Sequence, residues 1–273
     1  MQLSETQLQM VKSGWGNAAV DNSIVEKITY LSDGLKVKGY VAYPIDKSKK
    51  YPCIIWCRGG FENAGAIDEF NAKGIFGQLA SWGYVVFASQ YRGNDGGEGK
   101  DEFGGKDVDD VLNLISLVDE FPMADKNIWG IEGWSRGGMM TYLALTKTNI
   151  FKAAIVTGAI SDLKCTAGES NFMNKLYGKI IDKTNTDSFE KICRSRSIIN
   201  FPEKISKGTK LLIMHGTSDK RVEPHNSIDV ANKLLKLGYS FRLMLMENGD
   251  HFLKKHRKEV DRQRKDWFAK YLV

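Results

Sequence analysis

The sequence predicts an α/β fold: a mostly parallel sheet that opens with an antiparallel hairpin and carries helices on both faces. Three observations lead there. Two alternating segments, 23–31 and 35–44, flank Ser32-Asp33-Gly34, and Asp-Gly between alternating apolar residues is a strong hairpin signal. Six short apolar runs then follow, separated by helical stretches, a pattern that implies parallel strands covered on both sides. Finally, 273 residues with 42% hydrophobic and 26% charged content can build one sizeable core, which argues against disorder, collagen and coiled coil.

In chain order, residues 3–12 predict a short first helix with a Ser4/Gln7 capping box. The runs read as strands are 53–57, 84–88, 128–131, 153–156, 211–214 and 241–246. Between the second and third, Val108, Val111, Leu112, Ile115 and Val118 fall on one helical face. Asp107, Asp109 and Asp110 crowd the first turn of that helix, where carboxylates favour the positive end of the dipole. From Ser161 to Gly208 no strand is evident and 171–181 reads as helical, so 162–206 is expected to be a small helical lid on a single domain, 1–273. Phe172, Met173, Leu176 and Tyr177 supply its apolar residues, read as helix-core packing in preference to the wall of an apolar pocket. No repeat or low-complexity linker divides the chain.

Charge and cysteine usage narrow the function classes. The formal net charge is +6, and His251 to Lys270 alone holds eight Lys/Arg against three Asp/Glu. Val260, Trp267, Phe268 and Tyr271 lie on one stripe of that segment, so it reads as a docked helix with a solvated basic face rather than a nucleic-acid surface. The apolar run Ala153 to Ile160 ends after eight residues, far short of the roughly 20 that a membrane span requires. The first residues lack the basic and apolar regions of a secretory signal, so a cytoplasmic protein is expected. Cys53, Cys57, Cys165 and Cys193 form neither a disulfide framework nor a zinc pattern; on one strand, Cys53 and Cys57 would stand about 13 Å apart, outside disulfide reach.

The chemistry concentrates in Gly133-Trp134-Ser135-Arg136-Gly137, a G-x-S-x-G pattern between a predicted strand and a predicted helix. A serine on a strained strand-to-helix turn needs small neighbours, so that the backbone can bend sharply and present the hydroxyl at the carboxyl edge of the sheet. A helix N-terminus there also favours developing negative charge. Serine is a weak nucleophile unless a base takes its proton, and a carboxylate best holds that base in the working tautomer. In the α/β-hydrolase chain order of serine, acid, histidine, the candidates are Asp219, following the run 211–214, and His251, following 241–246. Both stand at carboxyl ends of strands, the same edge as Ser135. His215, His225 and His256 read as structural or solvated, Asp229 as a helix-surface residue, and Asp250 ranks below Asp219 because adjacent side chains rarely face each other.

Acyl transfer also needs donors for an oxyanion. One is expected from the backbone N–H of Arg136, and the other from the loop Arg58-Gly59-Gly60-Phe61 after the strand 53–57, whose glycines let main chain approach a substrate. That loop lacks the spacing of a phosphate cradle.

Together with Ser32-Asp33-Gly34, Tyr91-Arg92-Gly93, Phe103-Gly104-Gly105-Lys106-Asp107-Val108, Gly133 to Gly138, His215-Gly216-Thr217-Ser218-Asp219 and Gly249-Asp250-His251, these residues resemble the catalytic domain of the prolyl oligopeptidase family over nearly the whole chain. The resemblance implies an α/β-hydrolase fold, Ser135 as nucleophile, Asp219 as acid, His251 as base, and no cofactor. Only 22 residues precede the hairpin, so the N-terminal β-propeller of many family peptidases is not expected. Arg58 stands where some members carry an oxyanion-binding tyrosine and others a histidine, so either its guanidinium or the N–H of Gly60 completes the hole. The expected function is a serine hydrolase acting on peptide or ester bonds of small substrates. The alternatives are a carboxylesterase without peptidase activity and a non-catalytic binding protein on the same scaffold. No nucleic-acid or membrane partner is expected.

Overall fold

The computed structural model describes residues 3–62, 64–169, 174, 178 and 186–273. All eight expected strands form: β1 (Ser23–Ser32), β2 (Leu35–Pro44), β3 (Tyr51–Cys57), β4 (Val85–Ser89), β5 (Ala124–Trp134), β6 (Phe151–Thr157), β7 (Lys210–Gly216) and β8 (Phe241–Met246). They make one sheet in the order β1-β2-β4-β3-β5-β6-β7-β8. The β1–β2 and β2–β4 pairs are antiparallel and every other pair is parallel. Asp33 and Gly34 both take positive φ, 52° and 80°, as a tight hairpin turn demands. Arg92 then bridges that turn to the next layer, reaching Asp33 and Asp110 at 2.7 Å each.

Strand alternation builds two cores. Cys53, Ile55 and Cys57 join one, with residues of α4 (Asp107–Asn113), α5 (Arg136–Leu145) and α8 (His225–Lys236). Ile54 joins the other, with α3 (Glu69–Ser81) and α9 (Arg257–Tyr271). The chain passes from β3 through α3 to β4 on one side, then crosses back to β5 on the other. The order therefore reverses between β3 and β5, and the crevice beyond their carboxyl ends is where open α/β sheets bind ligands. The loop 58–61 and Ser135 both begin there.

Several expectations are refined. The first helix, α1 (Glu5–Trp15), has both arms of its capping box but runs on to Trp15, which packs edge-on to Phe70 of α3; a short α2 (Asn17–Asp21) follows. The helix expected through Val118 is α only to Asn113 and then narrows to a 3₁₀ stretch, Leu114–Glu120. Ser116 Oγ donates to the Asn113 carbonyl at 2.8 Å, taking an acceptor that a continuing α-helix would use. In the insertion 162–206, α6 (Leu163–Glu169) and α7 (Thr186–Ser195) are described, whereas Phe172, Met173, Leu176, Tyr177 and most of 171–181 lie outside the described residues.

The C-terminal helix docks as expected on Val260, Trp267 and Phe268, but its basic face is not wholly solvated. Arg264 turns inward to Glu132 of β5, with nitrogens 2.5 and 2.9 Å from the carboxylate oxygens, and both side chains are buried. A buried pair is fragile to removal of one member, because the survivor keeps its desolvation cost. Glu132→Ala is expected to lose about 3–5 kcal/mol of stability, whereas joint replacement by Glu132→Leu and Arg264→Met loses far less. Urea unfolding of the two variants checks this.

Candidate active site

Ser135 adopts φ 59°, ψ −123°, between the end of β5 and the first residue of α5. This left-handed conformation is strained for a residue with a Cβ and is held only because the surroundings over-determine it. Neighbouring glycines make the bend sterically feasible: a Cβ on Gly133 would lie 2.1 Å from the Gly137 carbonyl oxygen, and one on Gly137 would lie 2.0 Å from that of Cys57. Ser135 N–H donates to the Thr157 carbonyl at 2.9 Å, locking the elbow to β6.

The structure brings the other two predicted residues together. His251 Nδ1 lies 2.7 Å from Asp219 Oδ2, and both side chains are buried. An ionised carboxylate only accepts, so Nδ1 carries the hydrogen and Nε2 is left as the basic nitrogen. His251 and Ser135 line one cavity of about 500 Å³ with Gly60, Phe61, Phe103, Ile160 and Val222. Burial alone would raise the Asp219 pKa, but hydrogen bonds from His215 and His251, with the Val222 N–H, outweigh it and hold the carboxyl well below the usual carboxylate range.

Three supports of this pair escape sequence reasoning. His215 is fully buried between Ser227 Oγ at 2.7 Å and the Val222 carbonyl at 2.9 Å, with Nε2 also 3.3 Å from Asp219, so it supports the Asp219 carboxylate. Gly158, at φ 52°, backs the pair so closely that a Cβ would lie 3.4 Å from Asp219 Oδ2. Trp134 Nε1 donates to the His251 carbonyl at 2.8 Å. The remaining candidates stay apart. Asp250 is exposed and caps the Lys254 N–H, Asp229 is exposed, and His256 meets the Glu247 carbonyl.

Of the oxyanion candidates, Gly60 and Arg136 line the cavity and Arg58 does not. The Arg58 guanidinium is buried and donates to the carbonyls of Gln90, Glu62 and Gly59, at 3.0, 3.1 and 3.5 Å. The Arg58 side chain, one of the two alternatives for the second donor, is thus engaged by main-chain acceptors.

Arg136 has a second part that its position in the motif does not reveal. As the first residue of α5 its N–H has no partner within the helix. Its buried guanidinium reaches Asp101 at 2.5 and 2.8 Å, Asp107 at 2.5 Å and the Gly60 carbonyl at 3.0 Å, and lies over the Phe103 and Tyr91 rings at 4.6 and 4.7 Å. One side chain thus ties the 58–61 loop to α5, the two segments expected to carry the donors. Asp107 is therefore an ion-pair partner rather than only a helix-dipole residue, as is Asp110 with Arg92. Despite burial, Arg136 and Asn94 keep the Asp101 carboxyl below its ordinary value.

Cys53, Cys57, Cys165 and Cys193 are not joined in disulfides. Burial pushes the Cys53 and Cys57 thiols up to about 12, so neither is a nucleophile at neutral pH. Among the described residues no cluster of His, Cys, Asp and Glu could hold a metal ion.

Residues 72–273 match the model of the prolyl oligopeptidase family. The chain belongs to that family. It is a serine hydrolase, and it is 31% identical over 242 residues to the uncharacterized peptidase YtmA of Bacillus subtilis, covering 88% of this chain and 91% of that one. It is 26% identical to dipeptidyl-peptidase 5 of Porphyromonas gingivalis, covering 81% of this chain but 34% of the relative. In fold it resembles the acylaminoacyl peptidase of Pyrococcus horikoshii, with a TM-score of 0.80 at 22% identity over 100% of this chain and 44% of that one. A second solved structure, an acylaminoacyl peptidase in complex with Z-Gly-Gly-Phe-chloromethyl ketone, gives 0.78 at 24% identity over 92% and 42%. The chain thus spans less than half the length of these solved neighbours and about a third of the dipeptidyl-peptidase.

Because the native pKa of Asp219 is depressed, its contribution to stability is complete above the unfolded value of about 3.9 and is lost as pH falls toward the native one. Asp219→Asn is expected to flatten the stability–pH profile below about pH 4. Urea midpoints for the two proteins from pH 2 to 6 measure this.

Proposed function

We propose that the chain hydrolyses peptide or ester bonds of small substrates through an acyl-enzyme on Ser135. The observation that carries this reading is the His251–Asp219 pair at 2.7 Å, with His251 lining the cavity that also holds the strained serine. His251 Nε2 takes the hydroxyl proton as Ser135 attacks the carbonyl carbon, then gives it to the leaving group; water activated by the same nitrogen releases the acyl group. The N–H groups of Arg136 and Gly60 accept the charge that develops on the carbonyl oxygen. A cavity of about 500 Å³ suits a small substrate.

Further parts of the reading have their own support. The insertion 162–206 leaves β6 at the carboxyl edge, the rim that carries Ser135, as a lid would; its described residues line a separate cavity beside α4 and α5. Four cysteines without a disulfide accord with the cytoplasm. Among the described residues no helix is long and apolar enough to cross a membrane. Pairing of Arg264 with Glu132 and of Arg262 with Glu259 leaves the C-terminal helix a poor nucleic-acid surface.

Labelling by a fluorophosphonate probe is expected for the wild type and absent in Ser135→Ala; equal labelling of both would overturn the assignment. Asp219→Asn is expected to lower kcat by about 10,000-fold, the loss that follows when the histidine is left in the wrong tautomer. Arg136→Lys keeps the charge but cannot span two carboxylates and the Gly60 carbonyl. Its kcat should fall toward the roughly 100-fold loss of a missing oxyanion donor, with a smaller change in KM. Matched amide and ester substrates, compared by kcat/KM, test the peptide-bond reading; a negligible amide rate would reduce it to esterase activity.

A further inference from the structure

Beside the serine cavity lies a second one of about 370 Å³, and Trp56, Ile75, Trp134 and Phe252 wall both. Its far side is formed by Trp15 of α1 and by Arg257, Val260 and Arg264 of α9. The interior is thus mainly aromatic and aliphatic. Its charges are unevenly satisfied. Glu132 and Asp261 are both taken by Arg264, at 2.5 and 3.0 Å. Arg257 lies over the Trp15 ring at 4.6 Å with its Nε 4.0 Å from Asp261, and Lys254 lies 5.7 Å from the Phe252 ring. Among the described residues, neither of these two cations has a carboxylate within hydrogen-bond distance.

The placement of this cavity assigns it a side of the reaction. In acyl transfer the histidine protonates the departing amine, so the leaving group lies on the histidine's side of the scissile bond. Here the segment directly after His251 supplies Phe252 to the wall between the cavities and Lys254 to the second one. The C-terminus of a peptide always belongs to the leaving amine.

We infer that the second cavity is a leaving-group subsite for an apolar, preferably aromatic, residue with a free C-terminal carboxylate, held by the tryptophans and met by Arg257 and Lys254. The substrate class is then short peptides cut near the C-terminus. The inference rests on the acyl-enzyme reading of Ser135. A volume of 370 Å³ is ample for one large residue. It also gives α1 a purpose, since Trp15 contributes to the wall of the cavity.

Calorimetric titration with alanyl-phenylalanine and its C-terminal amide tests the subsite directly, in a Ser135→Ala background that prevents turnover. The free acid is expected to bind about tenfold more tightly than the amide, the range of one hydrogen bond between charged groups. Arg257→Gln should abolish that preference and Arg257→Lys should keep part of it. The Arg257 side chain is 46% exposed, so the change does not threaten folding. Trp15→Ala should weaken acid and amide alike. Equal binding of acid and amide, a preference that survives Arg257→Gln, or binding of neither would overturn the inference. Fluorophosphonate labelling of Arg257→Gln with Ser135 intact separates the two levels: its absence in the wild type defeats the acyl-enzyme reading, whereas intact labelling without an acid preference defeats only the subsite.

Discussion

The constraint on which the molecule turns is steric. Helix α5 leaves β5 so abruptly that Gly137 is pressed against the carbonyl of Cys57 and Gly133 against that of Gly137, with Ser135 held at φ 59° between them. Side chains at 133 or 137 would force strand and helix apart, and the hydroxyl would lose its place at the edge of the sheet. Because β3 and β5 are neighbours at the point where strand order reverses, the same bend sets the serine beside the 58–61 loop. A Cβ on Gly59 would already lie 3.0 Å from the Trp134 carbonyl.

Around that bend the charges are arranged for permanence. Arg136 joins the 58–61 loop to α5 through Gly60 and is itself balanced by Asp101 and Asp107 in a buried site. Asp219 is kept ionised by two histidines of which only one faces the cavity. In the proposed reaction, preorganised dipoles and charges of this kind need not reorganise when an oxyanion forms. The strained backbone at Tyr91 and Phe103, both at positive φ, falls where Arg136 lies over their rings, so local strain and the buried cation share one site.

Much of this was legible in the sequence where the signal is local. Each strand announced itself by a short apolar run, the hairpin by Asp33-Gly34, and the elbow by glycines two residues either side of a serine. Asp219 and His251 followed from chain order and from their places after strands, although only folding shows them 2.7 Å apart. What stayed hidden depends on partners without pattern. Nothing in a single sequence pairs Arg136 with Asp101 and Asp107, or Glu132 with Arg264, which lies 132 residues further on. The two orientations open to Arg58 differ only in which carbonyls surround it, and those belong to Gln90 and Glu62. His215 looked like a spare histidine because its partners, Ser227 and Val222, come from the following loop and helix.

The central claim is that Ser135 becomes acylated during turnover. Acid quenching during hydrolysis of a slowly deacylated ester, followed by tryptic mass spectrometry, measures this directly. The account predicts an added acyl mass on the peptide 127–136, with the fragment series placing it at Ser135, and loss of that mass in Ser135→Ala. Turnover with no acylated peptide, or with the acyl group on another residue, would contradict it.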